Sequence, residues 1–462
     1  MARIGVAVSG GGYRATTWGL GALLYLVDAG KHGEVTTISS VSGGSIANGL
    51  IAHDTEFRTT DPERFRAALR PLLRHIAYDG LFFFGPSTNA YVYVVLIGAA
   101  LTALALVATL IGVVAAALDA LGVLEIPWIA AAIGWSVAAF AVLAVVTFLL
   151  FRWRSRVVER AMAKKFFSRS GKATKLSALP MPSAQPASVP LHVFCATELQ
   201  QGQQLYATPE FVYTFAYGLG VPGDMSLARA VQCSACLPGG FAPRFLRTDQ
   251  HRFPKPDVPK RMALSDGGVY DNMADQWETG RANRPLADDD RFPPADELIV
   301  VNASASATSL ATKTRLLGAE LFGLKRPIDV MYDITTKMRR FELVEDWNSA
   351  ERSGSGQRGT LVHIPQSPIV VAERIARVGT PEQQARATAV LPLIPGTKEE
   401  WAATAAASTG VKTTLGKLGG DVVARLLYHS YVLAMVNSHV VLGYPLLQFP
   451  RLEDMERIVG AS

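Results

Sequence analysis

Short β-branched apolar runs recur along the chain at Ile4–Ser9, Val35–Val41, Leu191–Ala196 and Glu297–Asn302, each bounded by glycine, serine or charged residues. This pattern predicts buried strands. Between the first two runs, helical periodicity extends from about Thr16 to Ala29, and another helical pattern starts after Ser42. Strands alternating with helices predict an α/β fold with a mostly parallel sheet covered by helices. No repeat is evident. Asp421 to Val441 is apolar and helical, and Thr380 to Gly410 is rich in Ala, Gln and Glu without a chemical motif. Both are expected to complete or cover the same domain.

One region departs from this alternation. Tyr91–Leu118 is an uncharged run of 28 residues and Ile126–Phe151 another of 26, each longer than the roughly 20 residues that cross a bilayer core. They predict a transmembrane hairpin; the alternative is a hairpin buried in a globular core. Arg64, Arg66, Arg70 and Arg74 precede the pair and Arg152, Arg154, Arg156, Arg160, Lys164 and Lys165 follow it, whereas the connection holds Asp119 and Glu125 and no basic residue. Basic flanks stay cytoplasmic, so both outer ends, and the domain they lead into, are expected on the cytoplasmic face. Tyr91, Tyr93, Trp128 and Trp153 near the span ends suit the interface. Residues 168–190, rich in Ser, Lys, Ala and Pro, predict an extended linker. The expected layout is 1–85 as the first part of one catalytic domain, 86–167 as an inserted hairpin with its basic flank, 168–190 as linker and 191–462 as the second part.

Composition agrees with an apolar insertion: 49% of residues are hydrophobic and 18% charged. The net charge of +6 lies largely beside the spans, which favours anionic lipid headgroups over nucleic acid. Cys195, Cys233 and Cys236 are too few for a disulfide framework. Cys-Ser-Ala-Cys admits a redox pair or half a zinc site, but packed, reduced thiols are the favoured reading. No signal peptide is expected from the opening residues.

Three glycine-containing segments bear on chemistry. In ISSVSGGSIANG, residues 38–49, a strand runs into Ser42 and two glycines and then a helix, as a nucleophile elbow requires. The small Ser40, Gly43 and Gly44 permit the tight turn; Ser39 and Ser45 are the neighbouring rivals to Ser42. In SGGGYRATTWGLG, residues 9–21, Gly10, Gly11 and Gly12 again link a strand to a helix, so backbone N–H groups can converge on an anion. No Gly-Lys-Ser/Thr follows, so a nucleotide loop is unsupported. In ALSDGGVYDNM, residues 263–273, Asp266 precedes Gly267 and Gly268 at a strand end, with Asp271 as the rival carboxylate. Asp-Gly-Gly by itself is also an ordinary turn. None of the eight histidines has a recognisable catalytic setting, and His53, on the helix after Ser42, reads as structural.

In this order and spacing the three segments resemble the patatin-like phospholipase family, whose pattern is G-G-G-x-R-G, then G-x-S-x-G, then Asp-Gly-Gly or Asp-Gly-Ala. The matches are Gly10-Gly11-Gly12-Tyr13-Arg14-Ala15, Ser40-Val41-Ser42-Gly43-Gly44 and Asp266-Gly267-Gly268. CATELQQGQQLYAT at 195–208 and ARAVQCSACLPGGFAP at 228–243 are also similar. Ala15 and Ser40 stand where the family has glycine, and the apolar hairpin is an addition to the basic pattern. The resemblance implies a patatin-like three-layer fold and a dyad without histidine. Ser42 would attack an acyl ester, Asp266 would be its base, and the Gly10–Gly12 turn with Arg14 would form the oxyanion loop. It implies no cofactor or metal, and phospholipid or lysophospholipid in a bilayer as substrate. Acyl transfer to another acceptor and a catalytically silent lipid-binding scaffold are the alternative readings.

Overall fold

The computed structural model describes residues 2–80, 86–185, 187–286, 289–305 and 318–460. The boundary expected at residue 85 therefore lies outside the described residues. The chain forms two compact units, one of residues 1–81 with 162–462 and the other of residues 82–161.

The larger unit is built on a ten-stranded sheet. Its strands are β1 (Ile4–Val8), β2 (Val35–Val41), β3 (Leu191–Glu198), β4 (Gln203–Ala207), β5 (Val212–Thr214), β6 (Gly218–Gly220), β7 (Arg244–Arg247), β8 (Arg261–Asp266), β9 (Glu297–Asn302) and β10 (Arg358–His363). The order is β10-β9-β1-β2-β3-β4-β5-β6, with β8 pairing β3 and β7 pairing β8 outside this path. From β10 to β3 the neighbours are parallel, and beyond β3 they are antiparallel. Every residue of β1 and β9 is buried, which is why these strands read as continuous apolar runs: a parallel sheet is covered on both faces.

The helix expected from Thr16 starts earlier, as α1 (Gly12–Asp28), because the glycine turn leads directly into it. The elbow helix is α2 (Gly43–Asp54), and α3 (Pro62–Tyr78) follows. The expected C-terminal helix is present at Gly420–Leu442 and packs against α1. Segment 168–190, read as a linker, carries a short strand pair and a 3₁₀ turn and buries Leu176, Leu179 and Val189. Its proline and serine content favours extended backbone, but its few apolar side chains pack.

In the second unit, α4 (Pro86–Ala120) and α5 (Ile129–Arg152) pack together as a hairpin. Both are long and apolar enough to cross a membrane. Their apolar side chains point outward, with Leu104 65%, Ile111 64% and Trp135 78% exposed.

Candidate active site

Strand pairing explains how residues 224 positions apart in sequence come to adjoin. β2 runs parallel to β3 and ends where Val41 faces Cys195. β8 runs antiparallel along the same flank of β3 and ends where Asp266 faces Ala196, the next residue. The carboxyl ends of β2 and β8 thus meet nose to nose, and Ser42 and Asp266 stand where they meet. The turn between them is crowded: a Cβ on Gly267 would lie 2.2 Å from the Cys195 carbonyl oxygen, so only glycine leaves room for this junction.

Ser42 has φ 51° and ψ −118° at the start of α2. A non-glycine residue with such angles stores roughly 1–3 kcal/mol of strain. Surrounding bonds hold it there. The Ser42 N–H donates to both the carbonyl oxygen (3.2 Å) and Oγ (3.0 Å) of Ser234. Thr16 Oγ1 donates to the Gly43 carbonyl at 2.7 Å. A Cβ on Gly43 would sit 2.0 Å from the Gly12 carbonyl oxygen, so the elbow and the glycine loop are in backbone contact.

Beneath the elbow lies a buried polar network. Ser40 Oγ donates to the Val193 carbonyl at 3.1 Å and accepts from Asn48 Nδ2 at 2.9 Å and Ser45 Oγ at 3.0 Å. Ser45 Oγ lies 2.7 Å from Ser234 Oγ, and Asn48 Oδ1 is 2.7 Å from His192 Nδ1. Burial lowers the His192 pKa to about 3, so this histidine is neutral. The serine at position 40 therefore does more than tolerate the glycine position: its hydroxyl is the hub of the network.

Asp266 is 2% exposed. Burial raises its pKa to about 6, against the opposing pull of the Gly268 N–H and the Ser42 hydroxyl. The Gly268 N–H reaches Oδ1 at 2.9 Å, whereas Oδ2 has no hydrogen-bond partner within bonding distance. Among the described residues, no histidine hydrogen-bonds to Ser42 or Asp266. His53 instead contacts Asp54 and Thr174.

The glycine loop divides its work. Gly10 N–H donates to the Asn272 carbonyl at 2.9 Å, so it is engaged and cannot serve an oxyanion. Among the described residues the N–H groups of Gly11, Gly12 and Gly43 have no partner. Gly11 has φ 137° and Gly12 φ 60°, backbone conformations that residues with a Cβ rarely adopt. Arg14 is buried; its Nε donates to the Ala303 carbonyl at 3.0 Å and its Nη1 to the Val411 carbonyl at 2.5 Å. Burial lowers its pKa to about 10. It braces the loop and does not face a substrate phosphate.

The rival carboxylate is engaged elsewhere. Asp271 accepts from the N–H groups of Met273, Ala274 and Gln276. Arg339, on the helix Gly318–Ser353, lies 3.5 Å from Asp271 and 2.6 Å from Asp275, which secures the turn after Asp266. Three contributors were not picked out from sequence. Ser234 lies in the Cys-Ser-Ala-Cys stretch, Asn272 follows Asp271, and Thr414 accepts the Tyr13 N–H at 2.9 Å. Nothing local marks Thr414, because its contact with the loop is made only by the fold. The three cysteines are free and buried.

A family model of the patatin-like phospholipase type matches residues 6–274, more than half of the chain and all three motifs. The chain belongs to the patatin-like phospholipase family. Among solved structures it is similar to human GIVD cytosolic phospholipase A2 in complex with a methyl γ-linolenyl fluorophosphonate inhibitor and terbium chloride. That likeness has 13% identity and TM-score 0.43, covering 100% of this chain and 60% of that one. It is also similar to VipD from Legionella pneumophila, at 14% identity and TM-score 0.28, covering 76% and 55%. The chain thus spans little more than half the length of these proteins. No curated protein matches it by sequence.

Proposed function

We propose that this chain is a membrane-anchored serine acyl hydrolase of the phospholipase or lysophospholipase type. Ser42 Oγ attacks the carbonyl of a carboxylic ester while Asp266 Oδ2 takes its proton, with no histidine between them. Negative charge developing on the substrate oxygen meets the N–H groups of Gly11 and Gly12 at the amino end of α1 and of Gly43 at the amino end of α2, where the helix dipoles add to their effect. The alcohol leaves with a proton from Asp266, and water, activated by the same carboxylate, then releases the acid. The observation that carries this reading is the buried carboxylate beside a strained serine, with one oxygen unpartnered and a pKa near 6. A base with such a pKa is largely ionised at neutral pH yet still accepts a proton.

The anchor is the pair α4 and α5, an insertion between the first part of the catalytic domain and residues 168–462. Its outward apolar side chains are supported by lipid in this reading, with the basic flanks and the catalytic domain on the cytoplasmic face. Anchoring holds the site where lipid esters are concentrated. The test is fluorophosphonate labelling of detergent-solubilised protein. Labelling is expected in the native chain, absent in Ser42→Ala and sharply weaker in Asp266→Asn. A folded native chain that takes no label would return the reading to a silent lipid-binding scaffold. Product analysis with added lysolipid separates hydrolysis from acyl transfer.

A further inference from the structure

The hairpin formed by β7 and β8 carries a feature that the catalytic reading does not use. Asp266 ends β8 at the level of the active site, and Arg261 begins it, paired with Arg247 of β7. β8 runs opposite to β3, and β3 points the same way as β2. Arg261 therefore lies beyond the carboxyl end of β2, on the side where ligands approach an α/β sheet, roughly 17 Å above Asp266 at the usual rise per strand residue. The loop joining the two strands is thus a rim standing over the approach to the site.

That rim is basic and partly apolar. From Arg244 to Arg261 the chain holds six basic residues against two acidic ones. A cavity of about 720 Å³ opens there, lined by Arg247, Arg252, Phe253, Val258, Lys260 and Arg261 among others. Arg247 pairs with Asp249 at 2.6 Å; among the described residues Arg252, Lys260 and Arg261 have no acid within ion-pair distance. Phe245 and Phe215 are 47% and 64% exposed, and Lys255 Nζ donates to the Phe215 carbonyl at 3.3 Å, tying the second ring to the rim. Unpaired cations with exposed aromatic rings beside them match the chemistry of an anionic leaflet: charges meet phosphate and carboxylate headgroups, and rings enter the interface.

We infer that the β7–β8 rim docks on anionic lipid headgroups and so turns the mouth of the active site toward the leaflet. This rests on the reading that the chain works at a bilayer. The two features have separate roles: an apolar span retains the chain at any bilayer, while the rim distinguishes leaflets by charge.

The test uses the full chain in nanodiscs of phosphatidylcholine alone, or with about 30% phosphatidylserine. Val258→Cys, in the cavity wall, carries an environment-sensitive fluorophore; the native cysteines are buried and the unsubstituted chain is the labelling control. Blue-shifted emission is expected only with phosphatidylserine, largely lost in 0.5 M NaCl, where the Debye length falls to a few ångströms. Arg252→Glu with Lys260→Glu is expected to raise the phosphatidylserine fraction needed for the half-maximal shift by several-fold, with melting temperature unchanged. Equal emission in both discs overturns the inference. So does a shift that survives charge reversal, or one that inorganic phosphate produces in neutral discs. Because emission needs no turnover, an inactive chain that still shifts would sink the hydrolase reading and leave the rim intact.

Discussion

Leu20, Leu23 and Leu24 of α1 are fully enclosed by protein, whereas Leu104 and Ile111 of α4 expose 65% and 64% of their surface. Both helices are rich in leucine and alanine; what differs is the partner. Around α1 the neighbours are α2, α3, β9 and the helix Gly420–Leu442, and the same packing positions Tyr13 and Arg14 beside the glycine loop. α4 packs against α5, and the outward surface is left for lipid in the proposed reading. Apolar content by itself therefore says little about where a helix resides. The distribution of polar groups says more: the larger unit buries serines, Asn48 and Asp266 in satisfied or nearly satisfied networks, and neither apolar run contains a charge.

This contrast yields predictions of decreasing size. The largest concerns chemistry in the packed unit. Ser42→Ala is expected to lower kcat on a short-chain ester by about 10⁴-fold or more, and Asp266→Asn by about 10³–10⁴-fold, read by hydrolysis rates at saturating substrate. The native enzyme should lose kcat/KM as pH falls through about 6, since the base must be ionised, and be level above that. Stability should move the other way. The Asp266 carboxyl binds its proton up to about 6 when folded but only to 3.8 when unfolded. Stability from this group is therefore full below 3.8 and is lost as pH rises through 6. Asp266→Asn should accordingly melt higher than the native chain at neutral pH. A lower melting temperature would show that the carboxylate is structural.

Gly43→Ala tests the backbone contact between the elbow and the glycine loop. A Cβ there meets the Gly12 carbonyl oxygen at 2.0 Å, so activity should fall at least 100-fold, a displacement of an ångström or so being enough. Circular dichroism would show whether the fold persists. Replacing residues 86–152 by a flexible linker separates the two units. The remaining unit should hydrolyse a soluble short-chain ester within about threefold of the full chain, yet lose most of its activity on vesicles, because effective concentration at the bilayer is gone. Equal vesicle activity would remove the anchoring role.

The smallest effect is expected below the elbow. Ser40→Gly restores the family residue but deletes the hub hydroxyl, leaving Asn48 and Ser45 short of one partner each. A loss of about 1–3 kcal/mol is expected from such buried groups, measured by denaturant unfolding of the larger unit. A several-fold drop in kcat with unchanged KM would accompany it if the network steadies Ser42.

The sequence alone determined much of this protein, because its strongest signals are local. Continuous apolar strands declare a parallel sheet, uncharged runs longer than a bilayer core declare the hairpin, and small residues around Ser42 and Asp266 mark turns that larger side chains would block. Tertiary structure decided what depends on partners distant in the chain. Whether Gly10 offers its N–H or yields it to Asn272, whether Arg14 faces a ligand or braces a loop, and whether Asp266 or Asp271 keeps an oxygen free are matters of pairing. Hydrogen-bond partners are set by which strand ends meet, and no local pattern encodes that. The junction of β2 and β8 on one flank of β3 exists only once residues 35–41, 191–198 and 261–266 share a sheet, and the proposed chemistry depends on that shared edge.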